Sequence, residues 1–119
     1  MAEGLVYAKA FNLSIRIVNL YKFLTHKKKE FVLSKQILKS GTSIGANLSE
    51  AKGGISKAEF SQKVSIAYKE AKETEYWLDL LYETKYIDQE THDSMRKDCD
   101  EICKMMFAIL KITKRVRGN

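Results

Sequence analysis

The chain has 119 residues, of which 45% are hydrophobic and 30% charged, with two cysteines, no proline and a net charge of +6. That length suits one domain spanning 1–119, able to bury roughly two-thirds of its unfolded surface and so to hold a core without a metal or disulfide. No apolar run reaches about 18 residues, which argues against a membrane span. Met1 to Tyr7 carry an acid and no basic cluster, unlike a secretory or transit signal, so the expected location is the cytoplasm.

Helical periodicity runs through four segments, uninterrupted by any proline. In the first, Val6, Ala10, Leu13, Ile17, Leu20 and Leu24 recur at spacings of four and three, predicting a helix over 4–25. A connection follows in which Lys27 to Lys29 precede Phe31, Val32 and Leu33, an apolar strap expected to tuck against the bundle end. The second helix, 35–52, is expected to take Ser34 as N-cap and to bury Ile37, Gly41, Ile44, Leu48 and Ala51 before Gly53-Gly54 ends it.

Ser56 to Glu59 have the capping-box spacing that opens a third helix, 57–84, with the seam Phe60, Val64, Ala67, Ala71, Thr74, Leu78 and Leu81. Asp88 is the N-cap expected for a fourth, 89–115, with the seam Met95, Cys99, Ile102, Met106, Ile109, Thr113 and Val116. Short joins favour antiparallel neighbours, so the fold class is all-α, an up-down-up-down four-helix bundle. A long open coiled coil fits less well, because the connections carry stop signals.

Chemistry is sparse. Two-metal bundles use Glu-x-x-His pairs, which are absent; His26 lies in the lysine-rich connection and His92 is two residues from Glu90. Cys99 and Cys103 share a helical face and read as reduced thiols filling the core; as two ligands of a metal they would lack a third. No nucleophile has a base beside it and no glycine-rich nucleotide loop is present. The acids Glu70, Glu73, Glu75, Asp79 and Glu83 have the pattern of a solvated or interface face. No enzyme, cofactor, metal or small-molecule substrate is expected.

Charge is strongly segregated. Residues 1–57 hold ten Lys/Arg against three Asp/Glu, residues 58–103 six against twelve, and residues 104–119 five against none. The asymmetry fits pairing within the chain, pairing between subunits, or a surface for nucleic acid. The tail cations Lys111, Lys114, Arg115 and Arg117 fit either helix-end capping or phosphate binding, as Lys52 and Lys57 around Gly53-Gly54 fit either turn chemistry or anion binding. Gly41 and Gly45 in the second helix point to close approach of another helix.

The string Ser43-Ile44-Gly45-Ala46-Asn47-Leu48-Ser49-Glu50-Ala51-Lys52-Gly53-Gly54, followed by Lys57-Ala58-Glu59-Phe60, resembles the 23S rRNA intervening-sequence protein family of bacterial four-helix bundles. Ser43, Ile44, Ala46, Asn47, Glu50, Glu59 and Phe60 match its pattern, while Gly41 and Gly45 depart from it. The resemblance implies a homo-oligomer, with pentameric rings among relatives, and no enzyme activity. Its relatives include the accessory protein of diversity-generating retroelements, which raises the nucleic-acid reading.

The function expected is therefore a non-catalytic oligomeric module binding RNA or DNA, a ribonucleoprotein scaffold; the alternative is an adaptor that assembles with itself and protein partners alone. A ring is expected in which the basic surface of the first two helices meets the acidic surface of the third and fourth on a neighbour. Second apolar stripes, Phe11, Ile15 and Val18 on the first helix and Cys103, Phe107 and Leu110 on the fourth, fit either that contact or a wider core face. Asn47 is expected to be partly buried and bonded to the third helix. Lys52, Lys57, Lys111, Lys114, Arg115 and Arg117 are expected to share one phosphate-binding patch, because the turn after the second helix and the end of the fourth lie at the same end.

Overall fold

The structure is a computed structural model that describes the backbone of residues 2–54 and 56–118, with side chains from 4 to 54 and from 56 to 113. Four helices follow one another: α1 Ala2–His26, α2 Leu33–Lys52, α3 Lys57–Glu83 and α4 Gln89–Gly118. Each packs on the next and α4 returns to α1, closing an antiparallel up-down-up-down bundle of 50 × 22 × 21 Å.

The three-and-four rhythm becomes the core. All six seam residues of α1 are buried, as are Ile37, Ile44, Leu48 and Ala51 of α2, Val64, Ala67, Ala71, Leu78 and Leu81 of α3, and Met95, Cys99, Ile102, Met106 and Ile109 of α4. Phe60 and Thr113 are half-buried, and the side chain of Val116 lies outside the described residues. Each fully buried aliphatic side chain contributes about 1.5–3 kcal/mol relative to exposure, so these stripes carry most of the folding drive.

The start of α2 differs from expectation. Ser34 is no N-cap; it lies inside the helix, buried, with its hydroxyl donating to the Glu30 carbonyl at 2.8 Å. The Glu30 carboxylate performs the capping instead, accepting from the N–H groups of Val32, Leu33 and Ser34 at 3.2, 2.9 and 2.7 Å. Burial works against the charge on Glu30, but these bonds outweigh it and hold its carboxyl below the usual range. Folding Glu30 back over the helix end turns Phe31 and Val32 outward, 54% and 69% exposed, so the expected apolar strap does not form and only Leu33 packs on the core. Ser56 and Asp88 cap as expected, accepting from the N–H groups of Glu59 at 3.1 Å and Thr91 at 2.8 Å.

The small residues of α2 face α1. A Cβ on Gly41 would fall 2.7 to 2.9 Å from three carbons of the buried Ile17 side chain, whereas one on Gly45 would meet Ser14 Oγ at 3.4 Å and the Ala10 carbonyl oxygen at 3.6 Å. On the other flank of α2, the hydroxyls of Ser40 and Thr74 pair at 2.9 Å inside the α2–α3 contact.

These distances predict opposite outcomes for two similar substitutions. Gly41→Ala overpacks Ile17, at a cost of about 1–3 kcal/mol that exceeds the roughly 1 kcal/mol gained in helix propensity. Gly45→Ala meets ordinary contact distances and keeps most of that gain. Urea unfolding should show Gly41→Ala destabilised and Gly45→Ala equal to or above the parent; equal effects would contradict the packing.

Candidate nucleic-acid interface

The turn after α2 and the last described turns of α4 meet at one end of the bundle. Lys52 and Lys57 line an open groove of about 550 Å³ with Gly54, Phe60, Ile112 and Thr113, and the hydroxyls of Ser61 and Thr113 lie 3.4 Å apart across the α3–α4 contact. Lys52 is exposed with its Nζ 4.4 Å from the Tyr7 ring centroid, a cation–π contact to α1. Lys111 is exposed on the flank of α4, its Nζ 5.9 Å from the Phe107 ring. The side chains of Lys114, Arg115 and Arg117 lie outside the described residues, on the helix that continues past Thr113.

Of the motif residues of α2, Glu50 reaches α3 while Ser43 and Asn47 bond within their own helix. Ser43 donates to the Lys39 carbonyl at 2.6 Å, and Glu50 pairs with Lys63 of α3 at 2.7 Å. Asn47 is half-buried as expected, but its amide donates to the Ser43 carbonyl of its own helix at 2.8 Å rather than to α3. One turn of α2 brings that carbonyl within reach, and the local bond satisfies the amide without help from α3.

Sequence patterning missed the main polar feature of the molecule, a charged seam between α3 and α4. Arg96 donates to both oxygens of Asp79 at 2.7 and 2.8 Å and reaches Asp100 at 3.5 Å and Glu75 at 3.7 Å. Glu75, expected on a solvated face, is 7% exposed, with Lys72 at 3.3 Å and the Cys103 thiol at 3.7 Å. Burial, and then the hydrogen bond shared with Asp100, push the Glu75 carboxyl above its usual range; Asp100, receiving that bond, is held below its own. Burial likewise pushes the Cys103 thiol up to about 12 and that of Cys99 higher still, so neither offers a thiolate at neutral pH.

His92 completes the seam. Its two ring nitrogens lie 2.8 Å from Asp79 and 2.8 Å from Asp93, and the ring stacks on Tyr82 with centroids 4.8 Å apart. Lys72–Glu75 and Arg96–Asp100 stand at helical pair spacings, but nothing in either helix alone signals that they share one network.

Four of the twelve acids of residues 58–103, Glu75, Asp79, Asp93 and Asp100, lie in this seam. Among the described residues, Arg16 is the one cation of the basic first half engaged in an ion pair, with Asp98 of α4 at 2.8 Å. The second apolar stripe of α1 is outward, with Phe11 53%, Ile15 50% and Val18 36% exposed. That of α4 is largely absorbed into the core: Cys103 is buried and Leu110 half-buried, leaving Phe107 exposed. Among the described residues no helix is long and apolar enough to cross a membrane, and no group of three or more His, Cys, Asp or Glu is arranged to hold a metal.

These features define a small four-helix bundle with an ion-paired seam between its last two helices. The chain belongs to the 23S rRNA-intervening sequence protein family, whose sequence profile matches residues 3–108. It is similar to a crystal structure described as a protein of unknown function from the S23 ribosomal protein family of Bacteroides thetaiotaomicron, with 53% identity over 93% of this chain and 99% of that one and a TM-score of 0.92. A comparison with curated proteins gives no match.

The histidine makes the seam pH-sensitive. Burial opposes the imidazolium, but Asp79 and Asp93 outweigh it and hold His92 above the usual value of 6.5. A folded-state value raised in this way gives stability that is complete below 6.5 and lost as pH rises through the folded value. Thermal unfolding of the parent should therefore show a decline on the alkaline side of 6.5 that His92→Gln flattens; the same profile in both proteins would contradict the assignment.

Proposed function

We propose that this protein is a non-catalytic, oligomeric, cytoplasmic module that binds RNA or DNA and serves as a scaffold in a ribonucleoprotein. The observation that carries this reading is the charge layout. Glu75, Asp79, Asp93 and Asp100 are engaged by Arg96, Lys72 and His92, while among the described residues of α1 and α2 Arg16 is the one cation held in an ion pair and Lys39 lies near Glu70. Uncompensated cations attract a phosphate backbone without reading bases, and their affinity falls steeply with salt. The patch proposed for the backbone comprises Lys52, Lys57, Lys111, Lys114, Arg115 and Arg117, supported by the meeting of the Gly53-Gly54 turn and α4 at one groove.

Assembly multiplies weak contacts. The outward stripe of Phe11, Ile15 and Val18 is an apolar face on the side of α1 away from the core, the kind of surface that self-association covers. Membership of the family favours a ring, a pentamer by resemblance, in which each copy presents the same basic patch to one polymer. Exposed acids, among them Glu83, Glu90 and Glu101, are available to meet the basic α1–α2 surface of a neighbour.

Replacing Lys114, Arg115 and Arg117 together with glutamine should weaken binding to ribosomal RNA fragments and lower the salt slope by about three, roughly one for each phosphate no longer neutralised. Helicity should be unchanged, and light scattering should give the same mass for parent and variant, several times that of one chain. Undiminished affinity at the same salt would place the patch elsewhere, and a monomeric mass would remove the oligomer.

A further inference from the structure

The opposite end of the bundle holds a second and larger concavity. The last turns of α1, the connection after it and the α3–α4 turn border an open groove of about 850 Å³, lined by the rings of Phe23 and Tyr86, the exposed cations Lys28 and Lys85, and the carboxylates of Glu83 and Asp88. That volume suits a nucleotide-sized ligand. Phe23 is 41% exposed, and Lys28 Nζ sits 5.8 Å from its ring centroid, so an accessible aromatic face and a cation are side by side. Arg16 also lines the groove but is engaged by Asp98.

We propose that this groove holds one unpaired base of a single-stranded nucleic acid against Phe23 and Tyr86, with the flanking phosphate met by Lys28 and Lys85. The proposal rests on the nucleic-acid reading above but assigns a different part of the surface and a different recognition mode. Stacking on exposed rings requires a base freed from a duplex, and lysines beside the rings supply the backbone contact. The orientation follows from the lining: the carboxylates of Glu83 and Asp88 also border the groove, so the anion belongs with the exposed Lys28 and Lys85.

The backbone adds an independent observation. Lys85 stands in the left-handed region at φ 69°, closing α3 with its N–H on the Tyr82 carbonyl at 3.0 Å and the Tyr86 N–H on the Leu81 carbonyl at 2.9 Å. Glycine is the usual residue at this position of such a helix end, because any side chain is strained there. Lys29, after α1, is also left-handed, at φ 54°. At both places the chain keeps a lysine where glycine would give the steadier fold.

That conflict supplies the test. Lys85→Gly relieves the strain and removes the charge, so it should raise the melting temperature while weakening binding. With a fluorescently labelled RNA tetranucleotide of mixed sequence at low salt, Lys85→Gly should bind about threefold more weakly. Phe23→Ala should bind about tenfold more weakly. The Lys114, Arg115 and Arg117 triple variant should bind the tetranucleotide within about twofold of the parent, since those residues serve a longer stretch of backbone. Parental affinity in both Lys85→Gly and Phe23→Ala would overturn the groove. A parent that binds a long ribosomal RNA fragment but not the tetranucleotide would also overturn it and leave the tail patch standing; a parent that binds neither would overturn both.

Discussion

Arg96 ties α4 to α3 through two bonds to Asp79, at 2.7 and 2.8 Å, and the polar network between these two helices is built around that contact. An arginine at this position draws Glu75 and Asp100 toward it and leaves Asp79 shared with His92. Glu75 is the buried acid of the seam, while Asp79, Asp93 and Asp100 are about half exposed or more and meet Arg96 or His92 at its rim. Solvent therefore screens the pairs of Asp79 and Asp100 with Arg96, and Glu75 is the acid that most needs its partners. Packing and electrostatics are linked here, in the face that joins two helices.

Most of the architecture was legible in the amino-acid sequence because helical periodicity in apolar residues is a direct record of which face is dry. The ends of the helices fell within a few residues of expectation, and Gly41 and Gly45 correctly marked a close approach, which proved to be that of α1. The errors came where a polar side chain acted out of its usual role. Ser34 has the type of an N-cap, but Glu30, four residues earlier, reaches three N–H groups at once and displaces it. Once Glu30 folds back, the geometry of the turn leaves Phe31 and Val32 outside, whatever their hydrophobicity.

The candidate surfaces were less legible. Glu75 sits beside the seam positions Thr74 and Leu78, yet a charged residue beside a core stripe is ordinarily solvated, and its partner Arg96 lies on another helix. Periodicity within one segment carries no record of such a pairing. The meeting of the Gly53-Gly54 turn with α4 followed from topology alone; of the expected patch Lys52 and Lys57 line the groove there, and Lys111 lies on the flank of α4. The larger groove at the other end was invisible, because Phe23, Lys28, Lys85 and Tyr86 come from two distant turns and share no motif.

The central claim is that the uncancelled positive charge of this bundle binds a phosphate backbone. Its most direct test is the affinity of the parent protein for a ribosomal RNA fragment measured from about 50 to 200 mM salt, where each neutralised phosphate contributes roughly −0.7 to −0.9 to the logarithmic slope. Binding at low salt with a slope corresponding to several phosphates is the predicted result. No binding at the lowest salt, or an affinity that does not change with salt, would contradict the account.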